Sequence, residues 1–378
     1  MPALQTEWDA LLDRLTLIEP QSTPVLSLYL NTQADEHGRD RIHRFIRDEL
    51  HGRVRGFHGH DGLRRTLSKD VERINDYLTK SLRPETNGAA LFACAAAGLF
   101  EAMQFDAPFP RHQLHLGPLP HLYPLALLND QFPRYAALVA DSNTARILVF
   151  ALNRRVAEKT VTHEKTSRTS GSGWSQARFQ RHVDEKRQQH VKDVVDHLAE
   201  IVRADEIHRI VVAGEDVIVA RLRERLPAAL ASMVVDTLRL DITTPEHEIL
   251  RRTMDAIREN DARGDQAIVQ QALAGHYAGG LGAAGLEDVL AALERGQVHV
   301  LLLTAAARTD GIIEEPAAPK KQQAATKELP RHRPRQIDED QATALINLAR
   351  QTDAEVRFIQ DPELLWNVSG VAALLRYR

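Results

Sequence analysis

The chain has a single cysteine, Cys94, among 378 residues. One thiol cannot build an internal disulfide framework or a cysteine-based zinc site, and such scarcity suits a reducing, cytoplasmic setting. No apolar run approaches the roughly 20 residues needed to cross a bilayer, so no membrane partner is expected. The opening stretch MPALQTEWDALLDRL carries acids where a secretory signal would need an apolar core. Positive charge is not in excess either. The formal net charge is -4, so any affinity for nucleic acid must come from local patches and not from a global field.

What is present describes a globular protein, with 43% hydrophobic and 26% charged residues. The length is too great for one ordinary core and predicts two or three domains. Residues 4–18 read as an amphipathic helix with Leu4, Trp8, Leu11, Leu12 and Leu15 on one face. A buried strand at 25–30, helices at 39–56 and 62–81, and a hairpin at 88–96 and 99–105 complete an N-terminal α/β domain, residues 1–130, with the proline-rich 107–124 segment. A central domain, 131–278, opens on strands at 135–141, 145–150 and 155–163. It continues as helix 179–203, strand 208–213, helix 217–232, strand 234–240 and a long helix from Thr244 to about 275. Three antiparallel strands followed by alternating helix and strand predict a mixed-sheet, RNase H-like α/β fold. The C-terminal domain, 279–378, reads as an αβα layer with helices at 286–295, 338–351 and 362–375 and strands at 298–303 and 355–359. Its segment 316–336 has six Lys/Arg against one Glu and reads as a mobile arm.

Between the third central strand and its helix lies Thr169-Ser170-Gly171-Ser172-Gly173-Trp174-Ser175-Gln176-Ala177-Arg178-Phe179-Gln180-Arg181. The loop, 169–178, has few side chains with which to pack on itself, yet it ends in a tryptophan, a glutamine and arginines. Across 165–192, Lys165, Arg168, Arg178, Arg181, Lys186, Arg187 and Lys192 face only Asp184 and Glu185. Cations at a helix start oppose the helix dipole, so contact with phosphates is one reason for their presence. A solvated charged helix is the other.

The segment Gly171–Phe179 resembles the loop of the archaeo-eukaryotic class I peptide-chain release factors and their Pelota-like relatives, in which a Gly-Gly-Gln tip precedes an Arg-Phe segment and a helix. VLSLYLNT at 25–32, YAALVADSNTARILVF at 135–150 and GLEDVLAALERG at 285–296 look like the corresponding first, central and third domains of bacterial members. The resemblance implies a tRNA-mimicking factor for the ribosome, acting in translation termination, rescue or hibernation, with its central loop directed to the peptidyl-transferase centre. Gln176 would then position water for hydrolysis of the peptidyl-tRNA ester. Gly171, Gly173, Trp174, Ser175, Arg178, Arg181, Lys186 and Arg187 would contact rRNA. In this chain Trp174-Ser175 stand where the family has Gly-Gly, and a tryptophan there can stack on a base. Ribosome, rRNA and peptidyl-tRNA are the partners implied, with a translational GTPase as a further one, and neither cofactor nor metal is expected.

Other readings compete. Asp141, Glu215, Asp216, Asp236 and Asp241 fall at strand ends and would suit a metal-dependent, RNase H-like nuclease, although strand ends also collect Asp for turns. A ribosome- or RNA-binding factor without catalysis is a third possibility. Gly280–Gly285 fits G-x-G-x-x-G but follows a helix instead of the strand a dinucleotide site requires, and reads as a hinge or helix entry. His58 and His60 could bind metal, although the neighbouring glycines suggest a loop, whereas His182 and His190 are eight apart, beyond the one-turn spacing of a helical metal pair. Arg39, Arg41, Arg44, Arg47, Arg53 and Arg55 line an N-terminal helix that either touches RNA backbone or is a solvated face.

Overall fold

The computed structural model describes residues 3–33, 41–52, 61–163, 173–308, 313–314 and 335–378. The fold is mixed α/β with three sheets. The chain divides into two compact units, one from Met1–Thr6 and Phe132–Arg263, the other from Glu7–Gln131 and Gly264–Arg378.

The first sheet runs in the order β12-β4-β1-β2-β3, with β1 Val25–Asn31, β2 Gly88–Cys94, β3 Leu99–Phe105, β4 Gln113–Gly117 and β12 Ile313–Glu314. All its pairings are antiparallel. Gly98 closes the expected β2–β3 hairpin at φ 69°, a conformation glycine adopts without penalty. The proline-rich stretch contains β4, which the prolines on both sides obscured. The helix expected at 39–56 is described as a helical turn, Ile42–Phe45, running into a π-helical turn, Ile46–Leu50. Ile42, Phe45, Ile46 and Leu50 are buried there, while exposed Arg44 and Arg47 pair with Asp48. Those arginines therefore present a solvated face with its own acid, whose carboxyl Arg47 and Arg44 hold below the usual range.

The central unit is built on β5 Tyr135–Ala140, β6 Thr144–Ala151, β7 Arg154–Thr162, β8 Ile210–Gly214 and β9 Val234–Leu238, in the order β7-β6-β5-β8-β9. The first three are antiparallel neighbours; β8 and β9 add in parallel. This is the expected mixed sheet. Leu152 and Asn153, at φ 48° and 65°, form the two-residue β6–β7 turn, whose twist matches that of the strands. The parallel β5–β8 pairing requires a long crossover, and the helix Gly173–Ala204 supplies it. The helix expected at 217–232 is split into Asp216–Arg225 and Ala228–Ala231 by Pro227, which has no N–H to continue the ladder.

The third sheet runs β10-β14-β11-β13, with β10 Gly282–Ala284, β11 Val298–Thr304, β13 Glu355–Ile359 and β14 Val371–Leu375. A helix over 362–375 is not found. Pro362–Val368 is a 3-10 turn, and the chain then reverses through Ser369 and Gly370 at φ 60° and 82° into β14. Its apolar VAALL run is a strand paired on both edges. Gly282–Ala284 is likewise a short strand after the helix Glu246–Tyr277, so the glycine motif lacks the preceding strand of a dinucleotide site. The expected arm at 316–336 lies outside the described residues except at Arg335 and Gln336.

On the helix Asp61–Lys80, fully buried Asp70 accepts the Ala95 backbone N–H at 2.7 Å, and its other oxygen has no partner among the described residues. Burial pushes its pKa up to about 6, against the opposing pull of the Ala95 N–H and Arg73. A carboxyl raised in the folded state binds protons more tightly folded than unfolded, so stability falls as pH rises from about 4 through 6. Asp70→Asn keeps the acceptor and removes the charge. It should gain about 3 kcal/mol over the parent at pH 7.5 and little at pH 4, read from chemical denaturation at both pH values; an equal difference at the two would refute the assignment.

Candidate functional site at the root of the central helix

The apolar strand β5 directs its side chains alternately to two cores. Ala136, Leu138 and Ala140 meet Val191, Val194, Val195, Leu198 and Val202 of the helix Gly173–Ala204. Tyr135, Ala137 and Val139 meet Ile249, Met254 and Ile257 on the opposite face. The helix residues recur at three- and four-residue steps, the spacing of one helical face. Among the described residues the helix joins the core only from His190 and Val191 onward. The leading stretch 173–189 rises about 25 Å along the axis and carries Arg178, Arg181, Lys186 and Arg187. Lys186 and Arg187 are partly exposed.

The segment 164–172, which contains Gly171, leaves from His163 and re-enters at Gly173. The outgoing stem is fixed. The His163 backbone N–H donates to the Asn143 carbonyl at 2.8 Å. Its ring Nε2 lies 3.1 Å from Asp193 on the helix. The His163 and His190 rings meet edge to face, centroids 5.0 Å apart. His190 is buried, and burial first, then the neighbouring His163, lower its pKa below the ordinary histidine value, with Asp141 and Asp193 opposing. This His163–His190–Asp193 cluster has no sequence signature, because His163 sits at a strand end 27 residues from its partner ring. Only the strand-to-helix packing brings them together.

The helix begins at Gly173, earlier than the expected 179. Gln176, Ala177 and Arg178 are strong helix formers and nothing after Gly173 breaks the pattern. Trp174, Ser175 and Gln176 thus belong to the first helical turn and not to a glycine loop. Their side chains, and those of Arg178 and Arg181, lie outside the described residues, as does Gly171 altogether.

The acids of the competing nuclease reading do not gather. Asp141 Oδ1 accepts the backbone N–H groups of Asn143 and Thr144, both at 2.7 Å, making the β5–β6 turn. Asp216 pairs with Arg239 through both oxygens, Asp236 accepts from the Thr237 N–H, and Asp241 accepts from Thr243. Among the described residues no three of these carboxylates come within ligand distance of a common point. The one such gathering is in the other unit, at His115, His121 and Asp340.

Residues 120–258 match the model of bacterial archaeo-eukaryotic release factor family 10. This segment, which holds the central sheet and the Gly171–Arg181 stretch, is about a third of the chain and is similar to that family. No curated protein matches it. Solved structures aligned with it include S. cerevisiae Dom34, described as a translation termination-like factor interacting with Hbs1, at 11% identity over 77% of this chain and 79% of that one, TM-score 0.45. An archaeal Pelota from a ribosome-bound assembly with ABCE1 aligns at 15% identity over 98% and 94%, TM-score 0.43. The archaeal termination factor aRF1 aligns at 16% over 99% and 98%, TM-score 0.26. These superpositions are loose, and the family match over 120–258 carries the functional argument.

A folded-state histidine with a depressed pKa stays neutral while the unfolded chain takes up a proton, so its contribution is lost as pH falls below the ordinary histidine value. The variant His190→Leu should therefore lose less thermal stability than the parent between pH 7.5 and 5.5. Identical slopes in the two proteins would show that His190 is not held neutral by this packing.

Proposed function

We propose that the protein binds the ribosome as a termination-, rescue- or hibernation-type factor and directs the Gly171–Gln176 segment toward the peptidyl-transferase centre. The observation that carries this reading is the release-factor family match over 120–258, which contains that segment. The long helix Gly173–Ala204 supports it in physical terms. Its rear half is anchored on the sheet by apolar side chains, and its leading stretch has the cations that phosphate contact requires. In this reading Arg178, Arg181, Lys186 and Arg187 hold rRNA phosphates, Gly171 and Gly173 permit close backbone approach, and Trp174 with Ser175 meets bases at the tip. The segments 1–130, 131–278 and 279–378 are its three working parts, and a translational GTPase is a partner for delivery.

Two chemistries are compatible with that placement. In the first, Gln176 orients water against the ester of peptidyl-tRNA and its backbone N–H faces the developing oxyanion. In the second, the tip occupies the centre without hydrolysis. The helical start at Gly173 favours the second, because Trp174 and Ser175 occupy a regular turn where the family's paired glycines would give freedom to the backbone.

Sedimentation of ribosomes at low salt should carry the protein with them. Arg178→Ala should weaken binding and reduce the slope of log affinity against log salt by about 1, and Trp174→Ala should weaken it with no change of slope. Peptide release from loaded ribosomes, abolished in Gln176→Ala, would select the first chemistry; binding without release selects the second. Recovery of the protein only in the ribosome-free supernatant at low salt would refute both.

A further inference from the structure

In the unit formed by Glu7–Gln131 and Gly264–Arg378, two histidines six residues apart converge with an aspartate more than 200 residues further along the chain. His115 lies on β4, His121 lies just ahead of the helix Tyr123–Gln131, and Asp340 lies in the first turn of the helix Glu339–Gln351. His115 Nε2 and His121 Nδ1 each stand 3.5 Å from the same Asp340 Oδ1. The three donor atoms all fall within 4.8 Å of one another. Donors at the usual Zn–N and Zn–O bond lengths, set at a tetrahedral angle, are separated by about 3.4 Å. The two separations to Asp340 Oδ1 match that spacing.

The surroundings fix the ligand atoms as a metal site would need. His121 is fully buried, and its Nε2 lies 2.9 Å from the buried Glu339 carboxylate. Donation of Nε2–H to Glu339 leaves the Nδ1 lone pair directed at Asp340, the carboxylate–histidine arrangement that sets ring orientation and basicity in metal centres. Thr343 Oγ1 also approaches that Nδ1, at 3.3 Å. The backbone is held as well: the His121 N–H donates to Ser27 Oγ at 3.0 Å, and the Tyr29 hydroxyl donates to the His121 carbonyl. His115 stacks on His121 with centroids 4.5 Å apart. Its Nδ1 is buried with no hydrogen-bond partner among the described residues, so Nε2 is its one engaged nitrogen. Beside Nε2 stands Gly117, where a Cβ would lie 2.4 Å away. Glycine keeps that flank open. Asp340, 55% exposed, gives the site a side toward solvent.

Two stacked, buried imidazoles beside two carboxylates make a poor apolar core, and burying unpaired polar atoms is costly. We propose that His115 Nε2, His121 Nδ1 and Asp340 Oδ1 bind a divalent transition-metal ion of the zinc class, with Glu339 orienting His121 and a solvent molecule completing a four-coordinate shell. Nitrogen and carboxylate ligands without thiolate suit Zn²⁺ or Co²⁺ more than a soft ion. The ion ties the strand β4 and the His121 turn to the helix Glu339–Gln351, so it acts as a clip within this unit, independent of the ribosomal reading of the central unit.

The untagged full chain, stripped with chelator, is titrated with ZnCl₂ by calorimetry and with CoCl₂ by visible absorption. One equivalent should bind, with the d–d bands of tetrahedral Co²⁺ and a rise of several degrees in melting temperature that chelator reverses. Asp340→Asn should weaken binding at least tenfold and His115→Ala should abolish it. Melting of the chelated variants within a few degrees of the chelated parent establishes that they fold, and His115→Gln replaces His115→Ala if it does not. Absence of stoichiometric binding in the parent overturns the proposal, as does binding that is unchanged in Asp340→Asn and in the His115 variant.

Discussion

Everything proposed for the central unit depends on β5, a strand with apolar contacts on both faces. Tyr135–Ala140 has no residue exposed to water, so both faces must be covered. One cover is the rear of the helix Gly173–Ala204, the other the start of the helix Glu246–Tyr277. The parallel β5–β8 pairing sets the direction of the crossover and therefore of the first of these helices. Gly214 marks how tightly the ladder is drawn: at φ 147°, a Cβ there would lie 2.0 Å from the Ala140 carbonyl oxygen. Among the described residues of the helix Gly173–Ala204, those packed on the sheet begin at His190 and Val191.

In a chain of net charge -4 the concentration of cations over 165–192 is local, and with the helix starting at Gly173 its cations lie beyond the first turn, where the dipole no longer opposes them. The outgoing stem of the intervening segment is held by the Asp141 turn, the His163 N–H to Asn143, and the His163–His190 contact. A fixed root with a basic lead is the geometry a polyanionic partner can use, and the release-factor family match gives that partner an identity to test.

The central sheet was legible in the sequence because YAALVA and ARILVF are apolar runs bounded by turn residues, and because the helix-period valines at 191–202 are unambiguous. The C-terminal strand β14 was not. The run Leu364–Leu375 fits a helix by composition, and only the left-handed Ser369-Gly370 pair shows that the chain turns back. β4 was hidden by prolines on either side. The long helix starts ahead of 179 because the helix formers after Gly173 outweigh the glycine and serine that precede them. The His115–His121–Asp340 group was not legible: a histidine pair six residues apart has no metal signature of its own, Asp340 joins it only through tertiary packing, and the scarcity of cysteine points away from metals.

The scarcity of cysteine does make the central claim directly measurable. Cys94 is buried, so Ser175→Cys offers a single accessible thiol for an iron chelate that generates hydroxyl radicals. With the labelled protein bound to ribosomes, strand cleavage should fall on large-subunit rRNA around the peptidyl-transferase centre. Cleavage confined to other regions, or none from a labelled protein that still co-sediments, would contradict the placement of this tip.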